Sequence, residues 1–166
     1  MIIRNNRCGC DRCIDSPEPI LQPFVNANLD AQKIASGGNV VFSANPIETT
    51  VTGIAFNGAD TFTILQPGLY YLSCTLNFAP GTPARSHFEV LLNGNAPRAP
   101  GSNADTVGPV SIIRVQNYST GNTIAITNYS SNPVTIQNAL DISGKREETF
   151  SAGHFSFFRF ADGPVL

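Results

Sequence analysis

The sequence predicts an all-β domain, a sandwich or jelly roll, and three observations support this fold class. Helical periodicity is close to absent, and only residues 27–35 could form a helical turn or two. Short runs of alternating apolar residues recur between residues 37 and 160. Gly, Pro and Asn turn signals separate these runs about every 8–12 residues, which is typical of roughly eight to ten short strands in a sandwich or jelly roll.

The clearest pattern lies in residues 62–78. Pro67-Gly68 opens a run whose alternate residues share one face, because strand side chains have a period of two: Tyr70, Leu72, Cys74, Leu76 and Phe78. Phe62 and Ile64 alternate in the same way just before that turn. The two runs therefore predict a β-hairpin at the centre of the domain.

The other strands are predicted from the same alternation and from the turns that bound them. Two strands precede the central pair, at residues 39–42 and 49–52, and five follow it, at residues 87–92, 110–118, 123–127, 134–142 and 155–160. Asn93-Gly94 is a strong signal for a tight hairpin turn, since both residues tolerate positive φ.

The last predicted strand is apolar on both faces. Phe155 and Phe157 point one way, while Phe158 and Phe160 point the other way. A lone sandwich needs one apolar face per strand, so a second apolar face must also be covered. Another subunit would cover it, or alternatively a long loop of the same chain.

Composition limits the function classes. The chain has 166 residues, which suits one domain, and only 13% of them are charged, below the usual ~25%. A surface so poor in charge is expected to be covered in part by other subunits. The net charge of −2 argues against nucleic-acid binding, and membrane insertion is not expected because no apolar run approaches ~18 residues.

The first 22 residues differ in kind from the rest. We interpret residues 1–22 as a cysteine-containing N-terminal connector or tail and residues 23–166 as the jelly-roll domain, because prolines at 17, 19 and 23 indicate a stiff, extended segment. The first residues lack the apolar core of a secretory signal peptide, so export through a cleaved signal is not expected.

Three of the four cysteines lie in this tail, at Cys8, Cys10 and Cys13. Disulfide crosslinks between subunits are the leading interpretation. Three alternatives stay open: a zinc site completed by a histidine from elsewhere, a redox pair of Cys10 and Cys13, or thiols without a role. Cys74 lies on the apolar face of its strand and is predicted to pack in the core.

No catalytic constellation is predicted, and neither a metal nor another cofactor is expected. The two histidines, His87 and His154, have no Gly-x-Ser-x-Gly motif with them. Asp60, Asp105 and Asp141 lie in predicted loops and form no calcium-ligand run such as an EF-hand, so solvated carboxylates are the simpler interpretation. The chain is therefore not expected to be an enzyme.

Several of these segments resemble a known family. Residues 62–64 with 67–73, residues 91–94 and the Phe-rich run 153–160 are similar to the globular head of the first complement component and to tumour necrosis factor. The resemblance implies a ten-stranded jelly roll that forms a compact homotrimer and does not catalyse a reaction. It makes Tyr71, Phe158 and Phe160 the candidate residues of a trimer interface.

Within that family, the low-charge, Trp-free sequence resembles the C-terminal domain of the collagen-like glycoprotein of bacterial spore surfaces (the exosporium). The cysteine-bearing tail resembles the connectors of endospore appendages. These resemblances imply a structural protein of the spore surface whose connector docks on another subunit by strand addition, with Ile20, Leu21 and Phe24 as apolar anchors. Its partners would be further copies of itself and other spore-surface proteins.

Two other functions are compatible with the same residues. A trimeric head that binds a receptor or a glycan, and does not polymerise, would use its loops, with the tail as a stalk. A viral fibre or capsid jelly roll would share the low charge and the repeated assembly.

Overall fold

The computed structural model describes residues 22–43, 48–49, 52–83, 85–95, 103–104, 109–139, 143, 145 and 151–162. These residues form twelve strands and no helix: β1 (Phe24–Leu29), β2 (Gln32–Ile34), β3 (Glu48–Thr49), β4 (Ile54–Phe56), β5 (Phe62–Ile64), β6 (Gly68–Asn77), β7 (Ser86–Leu92), β8 (Asn103–Ala104), β9 (Pro109–Tyr118), β10 (Thr123–Asn128), β11 (Val134–Ile136) and β12 (Gly153–Ala161). They therefore contain no helix that is long and apolar enough to cross a membrane.

The strands build two sheets of five strands each, with the orders β3-β1-β12-β6-β9 (sheet one) and β4-β5-β10-β7-β8 (sheet two). A small ribbon pairs β11 with β2. Neighbouring strands run antiparallel throughout the described residues. The two five-stranded sheets confirm the predicted ten-stranded jelly roll.

An aromatic layer joins the two sheets. Phe62 of sheet two stacks on Phe155 of sheet one, with ring centroids 5.1 Å apart and planes 11° from parallel. Phe42 contacts both rings, at 5.0 Å and 4.9 Å, and all three side chains are buried. Phe157 continues the layer against Tyr70, 5.0 Å away. Because such side chains bury the largest apolar areas, this layer contributes much of the stability of the sandwich.

The alternation in residues 62–78 is confirmed, but the predicted hairpin is wrong. The even-numbered residues of β6 are buried and the odd-numbered ones are half-buried, as a strand between core and surface requires. However, β5 pairs with β4 and β10, whereas β6 pairs with β12 and β9. The turn between them crosses from sheet two to sheet one, and the backbone N–H groups of Leu65 and Gln66 both donate to the carbonyl oxygen of Gly53.

Three other local predictions are also corrected. Residues 27–35 form no helical turn; they end β1 and form β2, because Ala27 and Leu29 bury their side chains in the sandwich. Residues 39–42 are not a strand, although Val40 and Phe42 are buried. Of the strand predicted at residues 134–142, Val134–Ile136 form β11 and residues 137–139 are not part of a strand, while residues 140–142 lie outside the described residues.

The Asn93-Gly94 turn is confirmed. Both residues have positive φ, +52° and +74°, and Leu92 and Asn95 exchange two backbone hydrogen bonds of 2.9 Å and 3.0 Å. These values are typical of the two-residue turn that matches the twist of antiparallel strands. The Asn93 side chain also accepts a hydrogen bond from the backbone N–H of Thr123, at 2.8 Å, which ties the turn to the start of β10.

Truncating the aromatic layer should destabilise the domain strongly. We expect Phe62→Ala to lower the free energy of unfolding by about 3–5 kcal/mol, because it removes buried apolar surface and leaves a cavity. Leu65→Ala, three residues further on, is the matched control: its side chain is 50% exposed, so the loss should stay below about 1 kcal/mol. Urea unfolding followed by circular dichroism measures both values, and equal losses would contradict the assignment of the core.

Alkaline pH should destabilise the fold through Cys74. Burial raises the pKa of the Cys74 thiol from 9.0 to about 12, and the side chain is fully buried and free, as predicted. A group whose pKa is higher in the folded chain stabilises the fold below its unfolded pKa, and that contribution is lost as pH rises from 9 towards 12.

The urea unfolding free energy of the wild-type chain should therefore fall between pH 9 and pH 11. The unfolding free energy of the Cys74→Ala variant should fall less steeply with pH, and the two slopes should differ by up to about 1.4 kcal/mol per pH unit. The remaining slope belongs in part to Tyr118, because burial also raises the pKa of this side chain to about 12. Identical slopes for the two proteins would show that the thiol does not contribute.

Candidate self-association face

The outward side of sheet one, here called the front face, is formed by β1, β12, β6 and β9. Antiparallel register aligns its side chains into rows that run across the strands. The aromatic row consists of Phe24, Phe158, Tyr71 and Val115; the middle row of Asn26, Ser156, Ser73 and Ile113; and the polar row of Asn28, His154, Thr75 and Ser111. The front face thus changes from apolar to polar along the strands.

The aromatic row is partly exposed although two of its members pack against each other. The rings of Tyr71 and Phe158 lie 5.2 Å apart, yet Phe158 is 38% exposed and Val115 is 59% exposed. Phe160 alternates onto the same side of β12 and is 47% exposed. The structure therefore places the three predicted interface residues on one face, and their contact with another subunit stays a prediction.

The sequence analysis missed the contribution of β9 to this face. Ile113 and Val115 are the most exposed large apolar residues of the described chain, at 61% and 59%. Their strand neighbours Val110 and Ile112 point into the core and are buried. The signal was present in the sequence, because Val110 and Ile112 alternate with Ile113 and Val115 and so put apolar residues on both faces of the strand, as in residues 155–160.

His154 lies at the centre of the polar row. Its Nδ1 atom lies 3.3 Å from Asn28 Oδ1, and its Nε2 atom lies 3.0 Å from Ser156 Oγ. The Ser156 hydroxyl donates to Asn26 Oδ1 at 2.9 Å. On the next pair of strands, the hydroxyl oxygens of Thr75 and Ser111 lie 3.2 Å apart. Neighbouring strands thus supply hydrogen-bond partners across the front face.

The edge of sheet one next to the front face is long and unpaired within the described structure. β9 spans Pro109–Tyr118 and pairs, among the described strands, with β6 alone. An edge strand of this length presents a row of backbone donors and acceptors that another strand can bind. The arrangement can therefore support both side-chain packing and strand addition.

Arg159 anchors the start of the jelly roll. This inward-facing residue of β12 is buried, and its Nε and Nη1 atoms donate to Pro67 O at 2.8 Å and to Gln22 Oε1 at 3.0 Å. Its Nη2 atom forms an ion pair with Asp162. Its backbone N–H donates to Pro23 O at 2.9 Å. Residues 22 and 23, where the predicted connector joins the domain, are thereby fixed to sheet one.

Several predicted site residues lie outside the described residues: Cys8, Cys10, Cys13, Ile20 and Leu21. Phe24, predicted as a docking anchor, is the first residue of β1, and its backbone position pairs with Phe158 of the same chain. It therefore belongs to the front face of its own jelly roll.

The described part of the chain contains no cluster of three His, Cys, Asp or Glu side chains that could bind a metal ion. Of the three aspartates in predicted loops, Asp60 is described; Asp105 and Asp141 are not. Hydrogen bonds from the side-chain amides of Asn39 and Asn57 lower the pKa of Asp60. Its carboxylate thereby connects these two residues. His87 packs against Tyr129, with ring centroids 5.8 Å apart.

No protein-family model matches this sequence, and no curated protein matches it in sequence. Solved structures do resemble it in fold. Murine APRIL, in crystal structures at pH 8.5 and pH 5.0, aligns with 84% of this chain and 100% of its own, at 12% identity and TM-scores of 0.59 and 0.58. Rabbit GITRL aligns with 86% of this chain and 97% of its own, at 10% identity and a TM-score of 0.52.

At such low identity the likeness shows the fold and no more. The chain adopts a tumour-necrosis-factor-like jelly-roll fold.

Proposed function

We propose that this chain is a non-enzymatic structural protein of a bacterial spore surface. Its jelly rolls associate through the front face into homotrimers, and its N-terminal connectors link the trimers into a fibre or a surface layer. The single observation that carries the proposal is the exposed apolar row on the front face, in which Tyr71, Phe158 and Val115 stay accessible in the isolated chain.

The composition of the front face supports self-association. Isolated apolar residues are normal on protein surfaces, but a contiguous aromatic and aliphatic patch marks a contact surface. The three rows contain no Lys, Arg, Asp or Glu side chain. The cores of protein interfaces show the same depletion of charge and enrichment of aromatic residues.

The homotrimer rests on the resemblance to complement-type and tumour-necrosis-type heads, and the shared fold is compatible with it. A face of one chain that contacts a different surface of the next closes into a ring when the rotation permits. The exposed edge of β9 lies beside the front face and belongs to the same sheet. Both surfaces are therefore available to neighbouring chains.

Two observations support the role of the connector. Arg159 fixes Gln22 and Pro23 to β12, so a pull on the connector would act on the middle strand of sheet one. Cys74 is buried in the core and cannot crosslink chains without unfolding. Disulfides between chains would therefore use the three cysteines of the connector. The assignment to the spore surface rests on the sequence resemblance.

A charge placed on the front face should weaken self-association. We expect Ile113→Asp to raise the concentration of half-association more than about tenfold, because the contact would bury an unpaired carboxylate. Leu65→Asp is the matched control, since Leu65 is similarly exposed but lies in the turn between β5 and β6 and belongs to none of the three rows. Sedimentation equilibrium of the reduced full chain measures both variants beside the wild type.

The wild type and Leu65→Asp should have three times the mass of one chain, with Ile113→Asp shifted towards a single chain. Circular dichroism checks that all three proteins are folded. A wild-type mass equal to one chain would contradict the trimer, and equal association of the two variants would place the contact on another surface.

Removing the connector should separate trimer formation from polymerisation. We expect deletion of residues 1–19 to yield trimers that no longer polymerise, since the jelly roll and Gln22 remain. On non-reducing gels, the full chain should form a ladder of disulfide-linked oligomers. Replacing Cys8, Cys10 and Cys13 by Ser should abolish this ladder, while Cys74→Ser should retain it. Polymers formed by the truncated chain would contradict the role of the connector.

Electron microscopy of the same samples distinguishes the fibre from the alternative head. Long filaments from the full chain, and discrete particles from the truncated chain, are the expected result. Discrete particles from both proteins would instead favour a trimeric receptor- or glycan-binding head without polymerisation.

A further inference from the structure

We infer that His154 makes self-association through the front face pH-dependent, with protonation of its imidazole favouring separate chains. The inference rests on the proposed function, because it requires that the front face be covered by another copy of the chain. It adds a regulatory property to that face.

The hydrogen bonds of the free chain accommodate a protonated His154. The Ser156 hydroxyl donates a hydrogen bond to Asn26 Oδ1, so Ser156 Oγ is left to accept a hydrogen bond from the imidazole Nε2–H. On the other side, Nδ1 faces Asn28 Oδ1, which is also an acceptor. A neutral imidazole carries one N–H group and an imidazolium carries two. The charged form therefore donates to both partners while His154 is exposed to solvent.

Among the described residues of the three rows, no side chain of opposite charge lies beside His154. Asn28 faces it from β1, and Thr75 faces it from β6. The other members of the three rows are apolar residues, amides and hydroxyls, and Tyr71 is the other titratable side chain among them. Two acidic residues lie outside the rows on this side: Asp30 follows Asn28 by two residues after β1, and Glu48 of β3 pairs in register with Asn26.

Covering this face removes solvent from the imidazole. Burying a charge without an opposite charge beside it is costly even where its hydrogen bonds are kept, whereas a neutral imidazole carries no such cost. Histidine side chains change charge between about pH 5 and pH 8, so the pH dependence of self-association is expected within this range. The polar row therefore accommodates a protonated His154 in the free chain, but the loss of solvent in the assembly disfavours it.

Sedimentation equilibrium of the full chain at pH 8.0 and pH 5.5, with reductant and constant salt, tests the inference. The chain has two histidines, so His87→Gln is the matched control for His154→Gln. The wild type and His87→Gln should both show a concentration of half-association that rises about tenfold or more at pH 5.5. His154→Gln should associate equally at both values. His154→Lys, charged throughout, should associate weakly at both.

Three outcomes would overturn the inference. The first is a wild-type chain that associates equally at pH 8.0 and pH 5.5. The second is a His154→Gln variant that keeps the wild-type pH dependence, and the third is a His154→Lys variant that associates like the wild type at pH 8.0. A wild-type chain that is single at pH 8.0 would overturn the proposed trimer as well, so the two failures are distinguishable. Circular dichroism at each pH confirms that a change in mass is not unfolding.

Discussion

The packing of Phe62 on Phe155 is the constraint on which the rest of the structure depends. It joins a strand of sheet two to the middle strand of sheet one and buries both rings completely. Once Phe155 points inward, the period of two in β12 determines the directions of the side chains on either side of it. His154, Ser156 and Phe158 must then point outward. The composition of the front face is in this sense a consequence of the core.

β12 consequently combines three roles that many proteins separate. Its inward residues Phe155 and Phe157 form part of the core, and inward-facing Arg159 fixes the chain segment at Gln22. Its outward residues include Phe158 of the aromatic row and His154 of the polar row. A force on the connector, the packing of the core and a contact on the front face would therefore all act on one strand. This coupling is compatible with the proposed assembly, which rests on the exposed apolar row of the front face.

The likeness to murine APRIL and rabbit GITRL shows that chains with few identical residues can form the same jelly roll. Identities of 12% and 10% accompany alignments over more than four fifths of this chain. A sandwich needs apolar residues at alternate positions, of suitable size, and many sequences meet that need. Fold alone therefore does not determine function. The proposed self-association rests instead on residues that the core leaves outside, above all Tyr71, Phe158 and Ile113.

The sequence by itself determined which residues of the central and terminal strands point inward, since alternation is a local property; buried Cys74 and exposed Phe158 follow from it. It also determined the Asn93-Gly94 turn, which depends on two residues. Only the tertiary structure decided which strands are neighbours: β5 and β6 lie in different sheets. Pairing and register depend on contacts between distant segments, and these bring His154 beside Asn28 and bury Arg159 against Gln22.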